Sequence, residues 1–194
     1  MNLSGQELLP VSQAQAWAAL NDTEMLKAAI TGCESLTPVP EQEHAYELLI
    51  AVSIGPVKAK FKGRLKLSEL NPPESYQLAF EGQGGAAGHG KGSAQVRLEP
   101  KGPASTLLHY EVQASVGGKI AQIGSRLVDM AAQKMAGDFF AAFNAGLAAK
   151  YPVAAAEVAN DADQHPDSAA GKGRFQRLLD WYLGWLGSVF KAKG

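Results

Sequence analysis

The stretch Gly85-Ala86-Ala87-Gly88-His89-Gly90-Lys91-Gly92 comes within one residue of a phosphate-binding loop. In such a loop backbone N–H groups cradle phosphates, a lysine meets their charge and a hydroxyl holds magnesium. Gly92 occupies the hydroxyl position, and beyond it Ala94, Val96 and Leu98 alternate as a strand where that chemistry requires a helix N-terminus. A hairpin with glycines at positive φ accounts for the same residues without a nucleotide. His44, His89, His109 and His165 lack the short spacings of metal ligands, so no metal site is expected. Cys33 is the only cysteine. It has no partner for an intrachain disulfide, and behind a helix-ending Gly32 it reads as a packing residue rather than a nucleophile. No serine sits in a Gly-x-Ser-x-Gly setting, and neither Glu34 nor Glu81 has an apolar neighbourhood that would mark it as half of an acid–base pair. No catalytic residue, enzyme activity or cofactor is therefore assigned.

Two other patterns carry physical meaning. Between residues 57 and 67, Val57, Ala59, Phe61, Leu65 and Leu67 alternate with Lys58, Lys60, Lys62, Arg64 and Lys66. One face of that strand is apolar and the other is a row of five cations, either a solvated outer face or a docking stripe for an acidic partner or anionic lipid. The second pattern is the end of the chain. At about 100° per residue it gathers Phe175, Leu178, Leu179, Tyr182, Leu186, Val189 and Phe190 on one side, flanked by Trp181, Leu183 and Trp185. Lys172, Arg174, Arg177, Lys191 and Lys193 face a single anion, Asp180, for a net +4. A helix of this kind suits a lipid headgroup layer, although docking on its own domain or in a partner's groove would use the same apolar stripe. At about 27 Å from residue 174 to 191, with Arg177 and Asp180 inside it, it is a poor spanning segment.

The elements that position these residues follow from periodicity. Residues 2–9 read as a strand, Ser12 caps a short helix through Leu20, and Asp22 caps a second from Thr23 to Ile30. The period then becomes two: Tyr46 to Ile54, the strand after Gly55-Pro56, then Tyr76 to Phe80, Ala94 to Leu98 and Leu108 to Val112. After Gly117-Gly118 one long helix is expected from Lys119 to about Lys150. The order predicts an α+β fold of the helix-grip type: a curved antiparallel sheet wrapped on one long helix, over an internal cavity. The lining expected from pattern is Tyr46, Ile50, Phe61, Phe80 and Tyr110 from strands, with Leu127, Ala131 and Met135 from the helix.

Composition is that of a globular domain, 46% hydrophobic and 19% charged with formal net charge −1, which gives no whole-chain case for nucleic acid. Residues 153–171 hold Glu157, Asp161, Asp163 and Asp167 without a cation, and bear no large apolar side chain beyond valine. They read as an acidic tether. The division expected is a ligand-binding domain over 1–150, a linker over 151–171 and an amphipathic helix over 172–194. The first ten residues have neither a basic start nor an apolar run, so no secretory leader is expected.

The run Gly118-Lys119-Ile120-Ala121-Gln122-Ile123-Gly124-Ser125-Arg126-Leu127-Val128-Asp129, followed by Phe139-Phe140 and Phe143, resembles the carbon monoxide dehydrogenase G-subunit family of the START-like superfamily. So do Val11 to Glu34, with Trp17, Leu20-Asn21-Asp22 and Gly32-Cys33-Glu34, and the glycine-rich Gly88 to Gly92. Thr31 stands where the family usually has proline. The resemblance covers residues 1–150; linker and tail occur in only part of the family. It implies a non-enzymatic helper of a molybdenum-containing hydroxylase such as carbon monoxide dehydrogenase. Such a helper would recruit its enzyme to the inner face of the cytoplasmic membrane and bind a lipophilic quinone. Two readings compete with that one: a pure anchoring adaptor without ligand and, more remotely, a cyclase- or hydratase-type enzyme of the same superfamily.

Overall fold

A computed structural model describes residues 1–152. The tether beyond Pro152 and the tail expected over 172–194, with all its residues named above, lie outside the described residues. Strand β1 (Asn2–Leu9) leads into helices α1 (Gln13–Leu20) and α2 (Thr23–Ala29). The strands β2 (Cys33–Pro38), β3 (Ala45–Ile54), β4 (Val57–Asn71), β5 (Ser75–Gln83), β6 (His89–Gly102) and β7 (Ser105–Gly117) follow. The chain ends its described part with α3 (Lys119–Gln122) and α4 (Ser125–Lys150). All seven strands form one antiparallel sheet in the order β1-β7-β6-β5-β4-β3-β2, with α4 across its apolar face. The fold class expected from the pattern is the one observed.

The caps are local chemistry. Ser12 and Gln15 form a reciprocal capping box at the start of α1. At α2, the Asp22 carboxylate accepts from the Glu24 and Met25 N–H groups. Its other oxygen receives the Lys150 ammonium, which ties the end of α4 to the start of α2. This bridge, followed by the cap, holds the Asp22 carboxyl below its ordinary range, and the same bridge raises Lys150. The main core lies here: Leu9, Val11, Ala16, Ala19, Leu98, Leu108, Phe143 and Leu147 are buried together.

Three features depart from the expectation. β2 forms an edge strand on β3 that periodicity did not mark. The helix after Gly118 is not continuous: a short α3 stops at Ile123, and Gly124 at φ 98° starts α4 afresh without a side-chain cap. Residues 85–87 make a 3-10 turn between Gly85 (φ 58°) and Gly88 (φ 118°), and a strand follows at once. That geometry is the glycine hairpin, not a phosphate loop.

Candidate functional site: a two-lobed apolar cavity

Strand register explains why α4 leaves space beneath it. Pairing places Leu48, Gly63, Gly82, Gly90 and Val116 in one row across β3, β4, β5, β6 and β7, all on the face toward α4. Three adjacent strands thus present glycine where the sheet would otherwise present side chains. A Cβ built at Gly82 or Gly90 meets nothing nearer than 3.7 Å, so these two mark room, whereas one at Gly63 would fall 3.0 Å from the Glu81 carbonyl oxygen, a close approach of the neighbouring strand. From the helix, the small Ala132 lines the same space, and Ala136 lines the one beside it.

The space divides into two lobes with Leu65 as a shared wall. Lobe one, about 250 Å³, is bounded by Leu36, Leu67, Leu78, Val96, Leu108, Ala136, Phe139 and Phe140, and by the rings of Tyr46, Tyr76 and Tyr110. None of its lining residues is an acid, a base or an amide. Lobe two, about 280 Å³, is bounded by Ile50, Val52, Ile54, Phe61, Phe80, Ile120, Val128, Ala132 and Met135 over the glycine row. The exposed Glu81, His89, Lys91 and Ser115 line it as well. Each lobe alone lies just under the range of about 300–1,000 Å³ usual for ligand pockets, so a sizeable ligand would need both.

Aromatic packing fixes the rings. Tyr110 lies 5.2 Å from Phe140, and Trp17 meets Tyr76 edge-on at 5.7 Å. Tyr110 also crosses over its cross-strand partner Gly5, where a Cβ would fall 2.4 Å from the hydroxyl. Any side chain at Gly5 would push the ring out of place. Gly84 gives Phe61 the same clearance, with a Cβ there only 2.5 Å from the ring.

Of the lining residues read from the sequence, Tyr46 and Tyr110 fall in lobe one, and Ile50, Phe61, Phe80 and Met135 in lobe two. Leu127 does not line either: it is 44% exposed. Ala131 packs against the Ile50–Phe61 cluster without lining a lobe; its neighbours Ala132 and Ala136 do. The correction is one of helical phase within α4: successive i+4 steps drift by about 40° each, so the inward stripe runs through Val128, Ala132, Met135 and Phe139 and leaves Leu127 outside. The glycine row went unread, although isolated glycines inside an alternating strand are the usual sign of space or close approach.

The other face of the sheet is polar. Lys60 pairs with Glu34 at 2.7 Å and Arg64 with Glu47 at 3.6 Å, whereas Lys58, Lys62 and Lys66 have no ion pair among the described residues. A solvent-open trough of about 730 Å³ lies on this side between Arg64, Lys66, Lys91 and Gln113. Its openness and polar walls make it a surface rather than a chamber for an apolar ligand. Among the described residues no group of three or more His, Cys, Asp or Glu is placed to hold a metal ion. No helix among them is long and apolar enough to cross a membrane.

A seven-stranded curved sheet gripped by a long helix over an apolar hollow is the architecture of a START-like helix-grip protein. More narrowly, residues 5–148 match the model of the family described as the G subunit of carbon monoxide dehydrogenase (CoxG), and the chain belongs to that family. A solved structure of a conserved protein from Geobacillus kaustophilus is 30% identical, with TM-score 0.71 over 76% of this chain and 95% of that one. Two further structures share the fold alone. A START superfamily protein from Mycobacterium smegmatis is 15% identical, with TM-score 0.58 over 75% of this chain and 96% of that one. The Zhui aromatase/cyclase from Streptomyces sp. R1128 is 10% identical, with TM-score 0.57 over 80% and 98%. No curated protein matches.

Proposed function

We propose that this protein is a non-catalytic accessory protein of a molybdenum hydroxylase of the carbon monoxide dehydrogenase type. It holds a lipophilic ligand, a quinone, in the cavity beneath α4, and its tail brings the enzyme to the inner face of the cytoplasmic membrane. Family membership supports the partner class. The observation that carries the ligand is the glycine-floored, two-lobed apolar space, because a sheet selected only for stability would fill that row with side chains. For the membrane the support is the tail's composition. Each cation near an anionic leaflet contributes about 1 kcal/mol, and the buried apolar stripe adds more.

Mass spectrometry of lipids extracted from the full chain, purified without detergent from cells with intact membranes, tests the ligand. Wild type should carry a quinone at near-stoichiometric level. Gly82→Val, which puts a branched side chain into lobe two at a backbone position with ordinary φ, should lose it while keeping the wild-type circular dichroism. Leu179→Asp with Leu186→Asp in the same chain should abolish sedimentation with anionic vesicles. A folded wild type that neither carries nor titrates any quinone would leave the pure adaptor as the function.

A further inference from the structure

Tyr76 is 7% exposed, and burial pushes its phenol well above the ordinary range, so the ring stays protonated and its hydroxyl is a donor at any physiological pH. Buried tyrosine hydroxyls nearly always find a hydrogen-bond partner. This one has none among the described residues, and neither do those of Tyr46 and Tyr110, which share its lobe. The Tyr76 hydroxyl is also not sealed in by protein: among the described residues the single fully occluded side-chain polar atom without a partner is the Asn144 Oδ1, elsewhere under α4. The Tyr76 hydroxyl is thus not fully enclosed by protein, and its ring forms part of the wall of lobe one. A phenol without a protein partner in an otherwise apolar wall can donate to an acceptor seated beside it, a contact worth about 1 kcal/mol net.

We propose that lobe one receives the uncharged, oxygen-bearing head of the ligand, with Tyr76 donating to a carbonyl oxygen and Tyr46 and Tyr110 beside it. The hydrocarbon tail then passes Leu65 into lobe two over Gly63, Gly82 and Gly90. This rests on the reading of the cavity as a lipophile site and adds polarity and selectivity to it. Lobe one offers donors but no cation, so a carboxylate or phosphate head would lose its hydration without gaining a counter-charge. The selected class is a neutral carbonyl-bearing lipophile, and fatty acids and phospholipids are disfavoured at that end.

The experiment titrates the full chain with three probes of equal chain length: a decyl-substituted benzoquinone, decylbenzene and decanoate. Wild type should bind the quinone about five- to tenfold more tightly than decylbenzene, the worth of one good neutral hydrogen bond. Tyr76→Phe should erase that gap while leaving decylbenzene affinity unchanged. The infrared carbonyl band of the bound quinone should be downshifted in wild type and return toward its free position in Tyr76→Phe. If that variant does not fold, Tyr46→Phe and Tyr110→Phe carry the same comparison, and a wild-type carbonyl band at its free position overturns the proposal by itself. Equal binding of quinone and decylbenzene by wild type also overturns it, though the cavity would remain a lipophile site. So would an unchanged band in Tyr76→Phe, equal loss of both probes, or decanoate binding more tightly than the quinone, which would place the head near Lys91 and His89. Binding of none of the three removes the lipophile reading itself.

Discussion

At its C-terminal end α4 is fully packed: Phe143 is 1% exposed, Leu147 is wholly buried, and Phe139 stacks on Phe143 at 5.4 Å. About three and a half turns before Phe143 the same helix leaves Met130 60% exposed. The packed half meets β1, α1 and α2. It is drawn close by Gly146, where even a Cβ would come 3.3 Å from Met25 Sδ, and is bolted by the Lys150–Asp22 bridge. The loose half begins at an uncapped glycine with no acid in its first turn, and it covers the glycine row across a gap. A helix gripping a curved sheet cannot touch it everywhere. Here the fully buried contacts of Phe143 and Leu147 gather at the α2 end, where Phe139 and Phe140 also wall lobe one, while the glycine-started half covers lobe two.

If that division is right, the largest effect comes from the packed end. Phe143→Ala should cost about 3–5 kcal/mol of unfolding free energy in urea titration, since it empties a fully buried aromatic site. A loss under about 1 kcal/mol would mean the core can collapse around the gap and the packed half is not the anchor. Next in size is Asp22→Ala, which removes the α2 cap for about 1–2 kcal/mol, while Asp22→Asn should keep most of the capping contribution. The pH dependence follows in sign. Asp22 is held below its ordinary value of 3.8, so its contribution is complete above about pH 4 and fades as pH falls through the lower folded value. Lys150 is raised above 10.5, so the bridge persists below that value and is lost as pH climbs past the raised folded one. Stability of Asp22→Ala should fall less on acidification from pH 5 to 3 than wild type, as followed by thermal melts.

Much of this anchor was legible in the sequence. Ser12 and Asp22 announced both caps, and the strict alternation from Val57 to Leu67 announced β4, because a strand with one wet face and one dry face writes its period into the chain. β2 was not legible: Cys-Glu-Ser-Leu-Thr-Pro buries only Leu36 and is interrupted by a register shift after Cys33, so it exists through pairing with β3 rather than through its own pattern. The break at Gly124 was hidden for a different reason. Ile120, Ile123 and Leu127 keep helical spacing straight through it, and only the positive φ of Gly124 separates Ile120, which is buried, from Leu127, which is not. The cavity's floor was hidden most deeply. It consists of absent side chains in three strands, and their alignment is a matter of register, which no single strand encodes.

The smallest expected effect tests the loose half most directly. Leu127 and Met130 are large apolar residues on α4 that the described structure leaves in contact with water, so exchanging them removes little burial. Leu127→Gln with Met130→Gln should therefore change unfolding free energy by no more than about 0.5 kcal/mol, the range of surface substitutions, and helix propensity barely distinguishes glutamine from leucine or methionine. Urea titration of the double variant beside Phe143→Ala puts both ends of the helix on one scale. A loss approaching that of Phe143→Ala would show these side chains to be covered in the full-length protein in solution, and the contrast between the two halves of α4 would collapse. A near-zero change, together with faster amide exchange at residues 126–132 than at 140–147, would establish that the helix opens from its glycine end while its aromatic end stays shut.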